Sequence, residues 1–327
     1  MRSLMAIATI LSTCAVSAAL DSLNAQAVVS RAITLVVPFP AGGPTDTIGR
    51  ILADGLQSAL GQSVIVENNP GATGSIGAGR VARSEANGHT LILGTVATHV
   101  FNGAAYDLKY DVVTDFEPVS LIAFDPQIIV VKKAMPAADL PQLIAWLRAN
   151  PDKAVAGTAG VGSTSHVSAV NFQTLTGTQF RLVPYRGLGL AMVDLMGGHI
   201  DILFDLAANS LPQVEKGTVR ALAVTSFTRL ATAPTIPTVD EAGLRGFYFL
   251  NWHAIWVPRG TPAGVTARLN SAVRKVLADR RSQQRLVDIG QQLPPIEQQT
   301  PEALADYQKD EIARWWPVIK AANIRGE

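Results

Sequence analysis

The chain has 327 residues, more than one hydrophobic core usually organises, so two domains are expected. Hydrophobic residues make up 48% and charged residues 16%, mean hydropathy is +0.22, and 27 Lys+Arg face 26 Asp+Glu. This excludes a disordered chain and a basic field for nucleic acid or anionic membrane. A single cysteine, Cys14, excludes a disulfide framework or a cysteine metal cage.

Residues 1–27 read as an export signal. Arg2 gives a positive start, Leu4 to Leu20 form a mostly apolar run, and Ala25-Gln26-Ala27 fits small-x-small cleavage. The run is short for a bilayer span, and Ser12, Thr13 and Ser17 weaken it further. A lipoprotein reading through Leu11-Ser12-Thr13-Cys14 is disfavoured by the bulky Thr13. Cleavage after about Ala27 would leave a mature chain without cysteine, expected in the periplasm.

The mature chain then alternates strand, loop and helix. Ile33–Val37 is β-branched and ends at Pro38-Phe39-Pro40. Ala41-Gly42-Gly43-Pro44-Thr45-Asp46 opens a helix whose Ile48, Ile51, Leu52, Leu56, Ala59 and Leu60 share one face, with Gly61 as its stop. Strands follow at 63–66 and 90–93, with a loop from Asn68 and a short helix between them. The pattern restarts with a strand at 127–131, a helix at 140–149 and a strand at 154–156. The latter runs into a second glycine loop, Gly157 to His166, and a helix ending near Gly177. Strands at 180–183, 200–204 and 221–225 complete the second unit, an aromatic stretch spans 247–256, and Thr261-Pro262 and Thr300-Pro301 each open a helix. This predicts an α/β protein of two units, each a mostly parallel sheet flanked by helices. The final helices are too few for a third core and are expected to return to the first. Domain 1 is then 28–130 with 245–327, domain 2 is 131–244, and two crossover strands join them.

The two glycine loops are the most informative feature. A loop that leaves the C-terminal edge of a parallel strand and opens a helix presents unpaired N–H groups at the positive end of the helix dipole. That is an anion site needing no charged side chain. Ala41, Gly42, Gly43 and Thr45 form one such set, walled by Phe39; Gly162, Ser163, Thr164 and Ser165 form the other. His166, at the second helix start, would donate to an anion or pack on its own loop. Asp46 fits helix capping best, though it sits beside the candidate donors. Asp205, after the strand at 200–204, would accept a ligand ammonium or cap the next helix.

Other chemistries find little support. There is no P-loop lysine, and Gly77-Ala78-Gly79-Arg80-Val81-Ala82 matches a dinucleotide pattern but lies too far from its strand. The histidines (His89, His99, His166, His199, His253) have no metal-ligand spacing, so neither metal nor cofactor is expected. No Gly-x-Ser-x-Gly elbow occurs. Ser163 with His166 is the one imaginable hydrolytic pair, and capping explains its hydroxyls better. Trp252, Trp256, Trp315 and Trp316 fit packing rather than a stacking platform.

In order along the chain, Pro38–Asp46, Val66-Glu67-Asn68-Asn69-Pro70-Gly71-Ala72, Val183-Pro184-Tyr185-Arg186-Gly187, Asp194–Gly198, Ala221–Thr225 and Val239–Gly243 are similar to signatures of the Bug family. These are the periplasmic substrate-binding proteins of tripartite tricarboxylate transporters, and the resemblance covers residues 31–325. It implies a type II periplasmic-binding-protein fold closing on a small carboxylate held by Phe39–Asp46 and Gly160–His166. The partners implied are that ligand and the membrane subunits of the transporter, with no nucleic acid, no enzymatic activity and a monomeric protein. A receptor feeding a sensor kinase and a secreted serine hydrolase are the alternatives.

Overall fold

The computed structural model describes residues 31–326. The export signal, Ala27 and Cys14 therefore lie outside the described residues. The first lobe begins with β1 (Ile33–Val37), α1 (Pro44–Leu60), β2 (Val64–Asn68), α2 (Ser75–Ala82) and β3 (Thr90–Thr95), followed by a short helical segment over residues 97–105. β4 (Phe116–Lys132) leads into α3 (Leu140–Ala149), β5 (Val155–Thr158), α4 (Thr164–Thr176), β6 (Arg181–Pro184), α5 (Leu188–Gly197), β7 (Ile202–Leu206), α6 (Ala207–Glu215) and β8 (Val219–Val224). β9 (Leu250–Pro258), α7 (Ala263–Ala278), α8 (Arg280–Asp288) and α9 (Pro301–Ala321) close the chain.

The strands lie in the order β2-β1-β3-β9-β4-β7-β5-β6, with β8 on the other side of β4. β1 runs parallel to β2 and β3, and β5 parallel to β6 and β7. Every antiparallel pair involves β4 or β9. β4 is the crossover: it pairs with β9 as far as Pro126, then with β7 and β8 from Gln127 or Ile128 onward. The chain returns where the Thr225 hydroxyl and the Phe249 main chain hydrogen-bond. The first half of this crossover strand, along with α6 and α8, has no separate signal in the sequence pattern.

Strand alternation divides each lobe's core into two layers. Ile33, Leu35 and Val37 face α1 and α7 through Ile48, Leu52, Val273 and Val276, whereas Val36 faces Ala78, Val81, Trp315 and Ile319. In the second lobe, Ile129 and Val131 pack on Leu143, Leu147 and Phe172, and Ile128 and Val130 pack on Ala191, Leu195 and Leu211. The C-terminal helices thus pack on the first lobe's sheet. Trp252 and Trp256 are buried there, with Trp256 stacked on His99 at 3.7 Å.

Helix α1 shows why the first loop ends where it does. Pro44 fills the first helical position, where its missing N–H costs nothing, and Gly61 takes the left-handed cap at φ +65°. The dinucleotide-like glycines lie inside α2, and there they serve packing: a Cβ on Gly77 would stand 2.7 Å from the Asn69 carbonyl oxygen and 2.9 Å from Pro38 Cβ. Alanine normally strengthens a helix by about 1 kcal/mol over glycine. Here Gly77→Ala is expected to lower stability by about 1–3 kcal/mol, because the backbone contact must open. Urea unfolding should show a lower midpoint with an unchanged slope; a stabilised variant would contradict this packing role.

Candidate functional site

The two glycine loops meet across the junction of the lobes. They enclose a cavity of about 310 Å³ whose lining includes Phe39 to Thr45 from the first lobe and Ala159, Ser163 and Thr164 from the second. Thr95, Asn251, Leu206 and the turn Gly187–Leu190 complete it. No charged side chain lines this space. A groove of about 560 Å³ along Asp54, Lys275, Asp279 and Arg285 touches neither loop.

The cavity wall is made largely of helix starts. Gly43, Ser163 and Gly187 are the N-caps of α1, α4 and α5, and Leu206 that of α6. First-turn amides have no partner within their own helix, so those of Thr45 in α1 and Thr164 in α4, both on the cavity wall, are available to an anion. The hydroxyls of Thr45, Thr95, Ser163 and Thr164, with the Asn251 amide, supply neutral donors around them.

The structure separates residues that line the cavity from residues that shape it. Phe39, Ala41, Gly42, Gly43, Thr45, Ser163 and Thr164 line it; Asp46, Gly162, His166 and Asp205 do not. Asp46 turns back into its own loop: its carboxylate accepts hydrogen bonds from the Gly42 amide at 2.9 Å, Arg50 Nε at 2.9 Å and Asn68 Nδ2 at 3.0 Å. Burial alone would raise this carboxyl, but the bonds from Arg50, Gly42 and Asn68 outweigh it and hold it below the usual range. His166 does the same in the second loop, its Nδ1 accepting from the Gly162 amide at 2.9 Å. Burial keeps this ring below the usual imidazole pKa. Gly42 and Gly162, at φ +79° and +76°, adopt the left-handed backbone that aims each amide at the side chain four residues on. The expectation that these two amides would serve a ligand is therefore corrected: both are occupied within their loops.

Asp205 likewise turns inward, just before Leu206, the N-cap of α6. Its Oδ2 accepts from Ser210 Oγ at 2.6 Å and Asn209 Nδ2 at 2.9 Å at the start of α6, and burial pushes its pKa up to about 7. Asp125 is buried nearby, held well above the usual range first by burial and further by Asp205. Two of the protein's own carboxyls thus lie near the start of α6. Ser163 Oγ lies 3.0 Å from Ser165 Oγ and accepts from the His166 main-chain amide. With His166 Nδ1 already used, no Ser–His dyad forms.

A latch joins the lobes beside the cavity. The Val161 carbonyl of the second loop accepts from Thr73 Oγ1 and Tyr106 OH of the first lobe, each at 2.7 Å. A Cβ on Gly162 would stand 3.2 Å from the Tyr106 ring, so the loop passes close only because it is glycine. A second cavity of about 550 Å³ beyond Phe39 and Pro40 carries the cationic side chains Arg186 and Arg325.

Sequence reasoning missed Thr95, Asn251 and the Gly187–Leu190 turn. Thr95 extends a strand expected to stop at residue 93, and Asn251 hides among aromatics. Gly187 was the most accessible of them, since it stands between a strand and an apolar helix.

Residues 48–324 match the model of the tripartite tricarboxylate transporter family receptors. The chain belongs to this family. Among solved structures, the periplasmic binding protein BugD is 34% identical and covers 90% of this chain and 98% of its own, with a TM-score of 0.85. MatC from Rhodopseudomonas palustris with bound malate is 36% identical, covering 88% and 99%, with a TM-score of 0.84. Rpa4515 of R. palustris with adipate is 36% identical, covering 90% and 98%, with a TM-score of 0.86. The protein is accordingly a solute-binding receptor of the Bug type and not an enzyme, with the two-lobed α/β fold of periplasmic binding proteins. No described helix is long and apolar enough to cross a membrane, and no described group of three or more His, Cys, Asp or Glu is placed to hold a metal.

Because the folded Asp46 carboxyl lies below its unfolded value, its contribution is complete above the unfolded pKa of about 4 and is lost as pH falls through the folded one. Asp46→Ala should cost about 1–3 kcal/mol at pH 7. The gap to wild type should narrow at pH 3 in urea titrations; a constant gap would contradict the ionised role.

Proposed function

We propose that this receptor is exported, captures a small organic dicarboxylate between its lobes and delivers it to the membrane subunits of a tripartite tricarboxylate transporter. The observation that carries this reading is the uncharged cavity ringed by the starts of α1, α4 and α5. An anion enclosed there gains first-turn amides and hydroxyls from both lobes while meeting no cation. At about 310 Å³ the space is at the small end of ligand pockets, which suits a compact metabolite. The malate and adipate bound by two relatives point to acids of this size.

Phe39 and Leu190 would cover the carbon chain. The amide and hydroxyl of Thr45 would take one carboxylate. Ser163, Thr164 and the turn at Gly187 would take the other. Each charge-assisted hydrogen bond contributes roughly 1.5–3 kcal/mol net, so four or five offset the cost of association and leave micromolar affinity. Ligand bound to both lobes favours the closed arrangement, and the Thr73–Val161–Tyr106 contacts add to it. A monomer carrying a cleaved leader of about 27 residues completes the proposal.

Calorimetric titration with four- to six-carbon dicarboxylates tests it. Ser163→Ala and Thr164→Val should each weaken the best ligand by about tenfold or more. Folded protein silent to the whole panel would overturn the assignment.

A further inference from the structure

His253 lies on β9 directly opposite Thr95 of β3, its ring fully buried beneath the first-lobe wall of the cavity. Its Nε2 is 3.2 Å from Thr45 Oγ1, and its Nδ1 has no hydrogen-bond partner. Thr45 is the second residue of α1 and one of the hydroxyls that line the cavity. The two side chains therefore form a relay from the buried sheet to the ligand space.

Burial brings the imidazole pKa down to about 3, so the ring is neutral and carries one proton. Two arrangements exist. With the proton on Nδ1, a buried N–H would be left without any acceptor, and the Thr45 hydroxyl would have to donate inward to Nε2. The cavity would then meet a hydroxyl oxygen whose exposed lone pairs repel a carboxylate. With the proton on Nε2, that N–H donates to Thr45 Oγ1, only a lone pair on Nδ1 is left unfilled, and the threonine proton is released toward the cavity. Orphaned buried N–H groups are rarer than under-satisfied acceptors, which favours the second arrangement.

We infer that His253 is a positioning residue: by donating through Nε2 to Thr45 Oγ1 it fixes the Thr45 hydroxyl as a donor to the ligand carboxylate. The inference rests on the cavity being a carboxylate site. It gives the first-lobe hydroxyl a fixed polarity, whereas Thr95 Oγ1, also on the wall and without a partner, is a free rotor. The site would then select an acceptor at Thr45 before the ligand arrives, without a cation that would also hold chloride or phosphate indiscriminately.

Two measurements test this. Long-range proton–nitrogen NMR on protein labelled at histidine nitrogens reads the tautomer directly, with no ligand; the expected result is Nε2–H for His253. Malate and adipate are then titrated into wild type, Thr45→Val, His253→Leu, His253→Gln and the Thr45→Val/His253→Leu pair, each checked for folding by circular dichroism. Thr45→Val and His253→Leu should each weaken binding about tenfold. The pair should lose no more than either alone, because one interaction is removed twice. His253→Gln, which keeps a donor, should stay within about threefold of wild type. An Nδ1–H tautomer, additive losses, or a folded leucine variant with wild-type affinity would overturn the inference. If the leucine variant does not fold, the tautomer and the glutamine variant decide. Wild type that binds no acid, with the Nε2–H tautomer intact, would instead remove the carboxylate reading beneath it.

Discussion

The site depends on a repeated local bond: a left-handed glycine in each loop gives its amide to the side chain four residues ahead. Gly42 donates to Asp46 and Gly162 to His166, one pair in each lobe. Each bond folds its loop over the start of a helix and fixes the next amides outward. The two side chains most suggestive of direct ligand contact in the sequence thus act one step behind it, as the struts of the loops. The proposed anion site is built from main chain, and main chain can be aimed only when something holds its turn.

That arrangement explains the absence of charge around the cavity. A lysine or arginine in a closed cleft would need a partner whenever the cleft is empty, since a buried unpaired charge is far costlier than an unpaired hydroxyl. Helix starts and hydroxyls avoid this under the proposed mechanism, because water would satisfy them without ligand and a carboxylate with it. The carboxyls buried at the start of α6 fit the same logic: burial holds Asp125 well above the usual carboxylate range and Asp205 at about 7, so that helix end carries less negative charge than two ordinary carboxylates would bring. Arg186 and Arg325 stand outside, in the second cavity, where solvent reaches them.

Much of this was legible from residue order. Ile33–Val37 and the helices Pro44–Leu60 and Leu140–Ala149 follow from β-branched runs, helical spacing and the Pro and Gly stops at their ends. Both glycine loops were identifiable because glycines and hydroxyls between a strand and a helix have few other uses. The crossover strand was half-hidden: Phe116–Pro126 contains Pro118, Asp125 and Pro126, which break any strand pattern, yet it is held by its long antiparallel partner β9. The place of Thr95 and Asn251 on the cavity wall could not be read locally, because it arises from strands distant in sequence meeting at the lobe junction. Asp46, His166 and Asp205 have side chains fit for either ligand or cap, and only three-dimensional direction separates the two.

The account's central claim is that neutral donors on helix starts, drawn from both lobes, hold the ligand. A crystal structure of the protein with a bound four- to six-carbon dicarboxylate tests it most directly. The account predicts one carboxylate within hydrogen-bond distance of the Thr45 amide and hydroxyl, the other on Ser163 and Thr164, and no guanidinium or ammonium group in contact with either. A carboxylate seated instead against Arg186 or Arg325, beyond Phe39 and Pro40, would contradict it.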